Sequence, residues 1–66
     1  MDNLSRSELE ALIEEWVLSE RDRMITKRKL LDGIHYEALS EEVGLSPRQV
    51  QNIVRKSKRR ISAHIV

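Results

Sequence analysis

The chain has 66 residues, no cysteine, and twelve lysines and arginines against eleven acids, for a net charge of +1. At that length it is one domain, residues 1–66, near the lower limit for independent folding, because so short a chain buries only ~60% of its unfolded surface. Without cysteine there is no disulfide or thiolate metal site, no apolar run approaches the ~20 residues that cross a bilayer, and no signal-peptide segment follows Met1, so a cytoplasmic protein is expected.

Every segment reads as helix, and nothing alternates with period two for long enough to form a strand. The expectation is a small all-α, four-helix domain. Trp16 and Tyr36 are the only aromatic residues, so the core must be aliphatic. Ser7-Glu8-Leu9-Glu10 reads as a capping box, with Leu4 before it as a hydrophobic staple, opening an acidic helix over about 8–18. Leu9, Leu12, Ile13, Trp16 and Val17 form its apolar face, with Glu10, Glu14 and Glu15 opposite. Leu18-Ser19 breaks the pattern, and Ser19-Glu20-Arg21-Asp22 offers a second start with acids where the helix dipole favours them. Met24, Ile25, Leu30 and Leu31 give the second helix its buried face, leaving Lys27, Arg28 and Lys29 in solvent. Gly33 ends it, Ile34 enters the core, and His35 caps a third helix, Tyr36–Val43. The fourth is expected from Pro47 to about Arg60, with residues 62–66 continuing it or fraying.

The last two helices carry the functional signal. Gly44 stands where the third helix must stop and the chain reverse, and a residue without Cβ takes the left-handed cap conformation at no steric cost. Leu45 tucks between the helices. Ser46-Pro47-Arg48-Gln49 restarts the chain as a capping box, with Pro47 at the first helical position, where a missing N–H costs nothing. Val50, Ile53, Val54 and Ile61 mark one face of the fourth helix, Leu39 and Val43 mark the matching stripe on the third, and Ser40 is small where the backbones approach. Left uncovered is a face of Arg48, Gln49, Gln51, Asn52 and Arg55. An inert helical hairpin needs the stripes and the glycine but not that face. A helix-turn-helix over about 36–60, reading DNA in the major groove, needs all of them.

Charge is segregated to match. Residues 1–20 carry six acids against Arg6, a net −5, and residues 21–66 carry +6. After Glu42 there is no acid at all. This is the footprint of an end that meets a polyanion, joined to an end that stays off it. Base edges fall to side chains near the start of the recognition helix, namely Arg48, Gln49, Gln51 and Asn52. Phosphates fall to Ser46, Arg55, Lys56, Lys58, Arg59 and Arg60.

From Leu12 to Ile61 the chain resembles region four of bacterial sigma factors, the helix-turn-helix domain that recognises the −35 promoter element. Leu18-Ser19-Glu20-Arg21-Asp22-Arg23 is similar to the start of that family's second helix, and Gly33 followed by Tyr36-Glu37-Ala38-Leu39 to its approach to the turn. Leu45-Ser46-Pro47-Arg48-Gln49-Val50-Gln51-Asn52-Ile53 looks like its recognition helix, and Arg55 to Ile61 like its basic tail. Generic helix-turn-helix proteins share the Gly44, Val50 and Ile53 positions, so Trp-repressor and transposase-type domains are near neighbours. The resemblance implies that Arg48, Gln49, Gln51 and Asn52 face the groove, and it adds RNA polymerase as a partner. Pro47 stands where the family often has a base and Arg48 where an acid is common, so its base preference does not carry over. Nothing resembles region two, so promoter melting is not expected.

Other chemistry finds no support. His35 and His64 have no ligand partner at helical spacing, so no metal site is expected. No nucleophile, base and orienting group can be assembled, so neither an enzyme nor a cofactor is expected. Glu14-Glu15 and Glu41-Glu42 point to different sides of their helices and read as solvated charges. The expected function is sequence-specific DNA binding in transcription regulation, in a bacterial or phage-borne protein. The alternative is a sigma-like adaptor whose main partner is RNA polymerase or a sigma factor. Because one such module buries little surface, a homodimer or partner complex through Leu9, Leu12, Ile13, Trp16 and Val17 is also expected.

Overall fold

A computed structural model describes residues 4–64. It contains four helices: α1 Arg6–Trp16, α2 Glu20–Leu30, α3 Tyr36–Val43 and α4 Pro47–Ser62. No strand occurs among the described residues. Asp2, counted in the N-terminal charge, and the end of the 62–66 segment lie outside them. Residues 63 and 64 form a turn after α4.

Local signals set the boundaries. Helix α1 begins one turn-fraction earlier than Ser7 indicates. Ser5 is its N-cap, and the Glu8 N–H donates to Ser5 Oγ at 3.2 Å. The correction follows from the Leu4 staple: a Ser5 cap puts Leu4 and Leu9 at the two staple positions, which a Ser7 cap does not. Ser19 caps α2 through the Asp22 N–H. His35 occupies the N-cap position of α3, but its side chain makes no capping hydrogen bond. Gly44 ends α3 in the left-handed conformation, φ 73°, and both the Gly44 and Leu45 N–H groups donate to the Ser40 carbonyl. Ser46 and Gln49 form the complete reciprocal capping box of α4, with Pro47 in its first turn.

Helix α4 is the axis of the molecule. It packs against each of the other three helices, whereas α1 and α3 do not pack on one another. Its buried residues are Val50, Val54, Ser57 and Ile61, a stripe at helical spacing. The first half of the stripe joins Ile25 and Leu39 in one cluster, flanked by Ile34, Tyr36, Val43, Leu45 and Ile53. Ile61 joins Ile13 and Val17 in a second cluster, flanked by Leu9 and Leu12. Leu30 touches both clusters and connects them.

Two expectations for α2 are corrected by this arrangement. Because α2 is held between α1 on one side and α3 and α4 on the other, its buried arc is centred between Ile25 and Leu30. Thr26 falls inside that arc and is buried, while Met24 falls outside it and is 47% exposed. Thr26 Oγ1 has no hydrogen-bond partner. Nor are Lys27, Arg28 and Lys29 free in solvent. They are half-buried, and they engage neighbouring helices.

Candidate nucleic-acid interface

The side of α4 away from the core presents Arg48, Gln51, Asn52 and Arg55, all exposed. Arg48, Asn52, Arg55 and Arg59 follow each other at four, three and four residues, so they form one line directly opposite the Val50–Val54–Ile61 stripe. That line is about 16 Å long at the helical rise. Lys56 and Arg60 flank it on one side, Gln51 and Lys58 on the other. The sequence-derived base- and phosphate-facing residues are thus brought onto one continuous surface, with one qualification. Gln49 is occupied: the Ser46 N–H donates to Gln49 Oε1 at 2.9 Å, and the Gln49 N–H donates to Ser46 Oγ at 3.2 Å. The amide nitrogen of Gln49 and the hydroxyl hydrogen of Ser46 remain as donors.

The electrostatics of this face differ from those of the rest of the molecule. Five of the six bases before α3 are paired. Arg6 meets Asp32 at 3.0 Å, Arg28 meets Glu42 at 2.7 Å and Asp32 at 3.1 Å, Arg21 meets Asp22 at 3.2 Å, and Lys27 and Arg23 both meet Glu14. Lys29 sits over the Tyr36 ring, 4.4 Å from its centroid. Glu14 and Glu42 are therefore interhelical partners, not the simple solvated charges their spacing indicated. The hydrogen bond from Lys27 holds the Glu14 carboxyl below its ordinary pKa. Hydrogen bonds from Arg6 and then Arg28 do the same for Asp32, and the bond to Glu42 raises Arg28. By contrast, none of Arg48, Arg55, Lys56, Lys58, Arg59 and Arg60 makes an ion pair among the described residues. The physical reason lies in the sequence, since α4 contains no acid with which to form a pair along its own face.

Helix α1 lies against the C-terminal half of α4. Ile13 and Val17 are buried against Ile61 of α4, with Leu9 and Leu12 packed around them. Trp16 is half-buried, its ring stacked on that of His64 at 3.5 Å between centroids and 6° between planes. Of the stripe read as a partner interface, Ile13 and Val17 are thus buried within the chain itself, while Leu9, Leu12 and Trp16 stay half-buried.

Two shallow grooves flank α2. One, of about 750 Å³, runs over the paired charges between Glu14 and Asp32. The other, of about 640 Å³, lies between the α1–α2 turn and the last turns of α4, and it includes Ser19, Lys56, Ser57 and Arg60. Sequence reasoning missed the second groove because its walls come from segments almost forty residues apart. Ser57, a polar residue at a core-stripe position, was the one local sign of it. Among the described residues no group of three His, Asp or Glu side chains could hold a metal ion, and no helix is long and apolar enough to cross a membrane. Compared with known proteins, the chain matches no family model, no curated protein and no solved structure.

Proposed function

We propose that this protein binds double-stranded DNA sequence-specifically and regulates transcription, with α3, the Gly44 turn and α4 acting as a helix-turn-helix and α4 lying in the major groove. The observation that carries this reading is the contrast in charge pairing. Five bases of α1 and α2 are matched by carboxylates, while the six of α4 are exposed and, among the described residues, unmatched, on one helix that also displays Gln51 and Asn52. A solvated helix does not require that contrast, whereas a surface whose counter-charges are phosphates does. The resemblance to region four of sigma factors supports the same assignment of Arg48, Gln51 and Asn52 to base edges.

A second reading, a sigma-like adaptor with RNA polymerase or a sigma factor as its main partner, is favoured by exposed apolar side chains away from α4's outer line. Leu18 is 71% exposed and Met24 is also open. Titrating duplex DNA at several salt concentrations separates the two readings. The DNA reading expects affinity that falls linearly in log–log form with salt. Absence of DNA binding at low salt, together with a polymerase complex that survives high salt, would establish the adaptor instead.

A further inference from the structure

Arg55 lies in the interior of the outward line of α4. It follows Arg48 by seven residues and Asn52 by three, so all three project from one strip of the helix, opposite Val50, Val54 and Ile61. It is exposed and makes no ion pair among the described residues. Distance from the helix start alone gives Arg55 to phosphate, but its angular position does not. Lys56 and Lys58 stand roughly a quarter turn to either side of the line, and Arg60 lies beyond Lys56.

Charge on both flanks of this half of α4 constrains how it meets a duplex. A helix with its side chains is about 10–12 Å across, and the major groove is about 12 Å wide. Lys58 on one flank and Lys56 with Arg60 on the other reach opposite backbones together only when the C-terminal half of α4 lies down in the groove. Entry by the first turn alone lifts that half out. Helix α3 supports the same pose. It packs beside Val50 and Val54 through Leu39 and Val43. Its outward side carries Glu37 and Glu41, both exposed and neither in an ion pair among the described residues. In the usual helix-turn-helix pose the first helix crosses the backbone, and phosphates would repel these two carboxylates.

We propose that Arg55 is a base-reading residue that sets sequence specificity, and that the preferred duplex holds two G·C pairs about three base pairs apart. This rests on α4 being the DNA-reading helix. With the C-terminal half of α4 in the groove, the outward line faces the base edges and the flanking lysines face the two backbones. The Arg55 guanidinium matches guanine O6 and N7 as Arg48 does, and Asn52 between them matches adenine N6 and N7. Seven residues advance the helix about 10 Å, or about three base pairs at roughly 3.4 Å each. Arg59, one turn further on, sits where the groove curves away from a straight helix, and it keeps a phosphate.

The test enriches preferred duplexes from a randomised pool with the full chain, then titrates the preferred duplex at several salt concentrations. The wild-type pool should converge on two G·C pairs at that spacing. Arg55→Ala should relax the preference at one of them and weaken binding to the preferred duplex about tenfold to a hundredfold. On a duplex already changed at that pair the loss should be much smaller. Arg55→Lys keeps the charge but not the guanidinium fork, so it should hold the salt slope and still lose the guanine preference. Lys56→Ala and Lys58→Ala should weaken all duplexes alike and flatten the slope by about one unit each. Uniform weakening by Arg55→Ala, with a flatter slope and unchanged base preference, would overturn the proposal and return Arg55 to phosphate while the DNA reading stands. No duplex binding at low salt would overturn the DNA reading, and this proposal with it.

Discussion

Gly44 holds φ at 73°, and a Cβ placed there would meet nothing within 4 Å. The cost of a side chain at this turn is therefore purely that of the left-handed backbone, about 1–2 kcal/mol. Gly44→Ala should lower stability by that amount in urea unfolding while leaving the contacts of Leu45 in place. An unchanged midpoint would show that the turn relaxes to another conformation. Arg48 and Gln49 are adjacent, yet their substitution should be felt in different measurements. Arg48 is exposed on the outer line of α4 and makes no ion pair among the described residues, so Arg48→Ala should cost about 1–3 kcal/mol on a preferred duplex and far less on random sequence. Equal losses on both would reduce Arg48 to a phosphate contact. Gln49 closes the capping box, so Gln49→Ala should appear first as lost stability, on the order of 1 kcal/mol, and Gln49→Glu, which preserves the cap acceptor, should restore it. Sequence pattern placed both residues at the start of α4 and gave Gln49 two uses, in the capping box and at a base edge; the cap is formed. The competing use of Gln49 is a matter of which acceptor the Ser46 N–H finds.

At the level of elements, most boundaries could be read in the sequence because each is set by chemistry within four residues of it: Ser19, Gly44, Ser46 and Pro47 act on their immediate neighbours. What could not be read depends on partners remote in sequence. Met24, read as buried, is exposed, and Thr26, given no role by the pattern, is buried, because the buried arc of α2 is set by where α1 and α4 lie. Glu14 and Glu42 became interhelical partners for the same reason. Those pairs predict a specific pH response. The folded-state pKa values of Glu14 and Asp32 are lowered by hydrogen bonds from Lys27 and from Arg6, so the stability they contribute is complete above the ordinary values of 4.5 and 3.8. It is lost as pH falls through the lowered values. Stability should thus be flat near neutrality and decline only under acid conditions, and Glu14→Gln should make that decline shallower. A decline that begins near pH 7 would show that these carboxylate pairs do not set it. For α4 the element-scale test is ionic. Replacing Lys58, Arg59 and Arg60 together with alanine should flatten the log–log salt dependence of DNA affinity by up to about three units, one per phosphate contact, without altering sequence preference. An unchanged slope would remove these residues from the interface.

Across the whole molecule, α4 is both the proposed reading surface and the central strut of the core, and this dual role links binding to folding. Its N-terminal half rests on Ile25 and Leu39, its C-terminal half on Ile13 and Val17, and Leu30 touches both clusters. A domain of this size has only roughly 3–10 kcal/mol of stability in total, so neither cluster has much to spare. The two should therefore unfold together. Trp16 fluorescence reports the α1–α4 cluster through the His64 stack, while far-UV circular dichroism reports all four helices, and their thermal transitions should coincide. Ile13→Val, which removes one buried methylene-sized group, should shift both transitions equally by about 0.5–1.5 kcal/mol of stability. Because Ile13 faces the chain's own core, the same substitution should leave the sedimentation behaviour of the folded protein unchanged at micromolar concentration, whatever that behaviour is. If Trp16 instead melts before the helical signal, or Ile13→Val converts an oligomer to a monomer without loss of stability, then α1 is a detachable arm. Its apolar face would then serve a partner rather than α4.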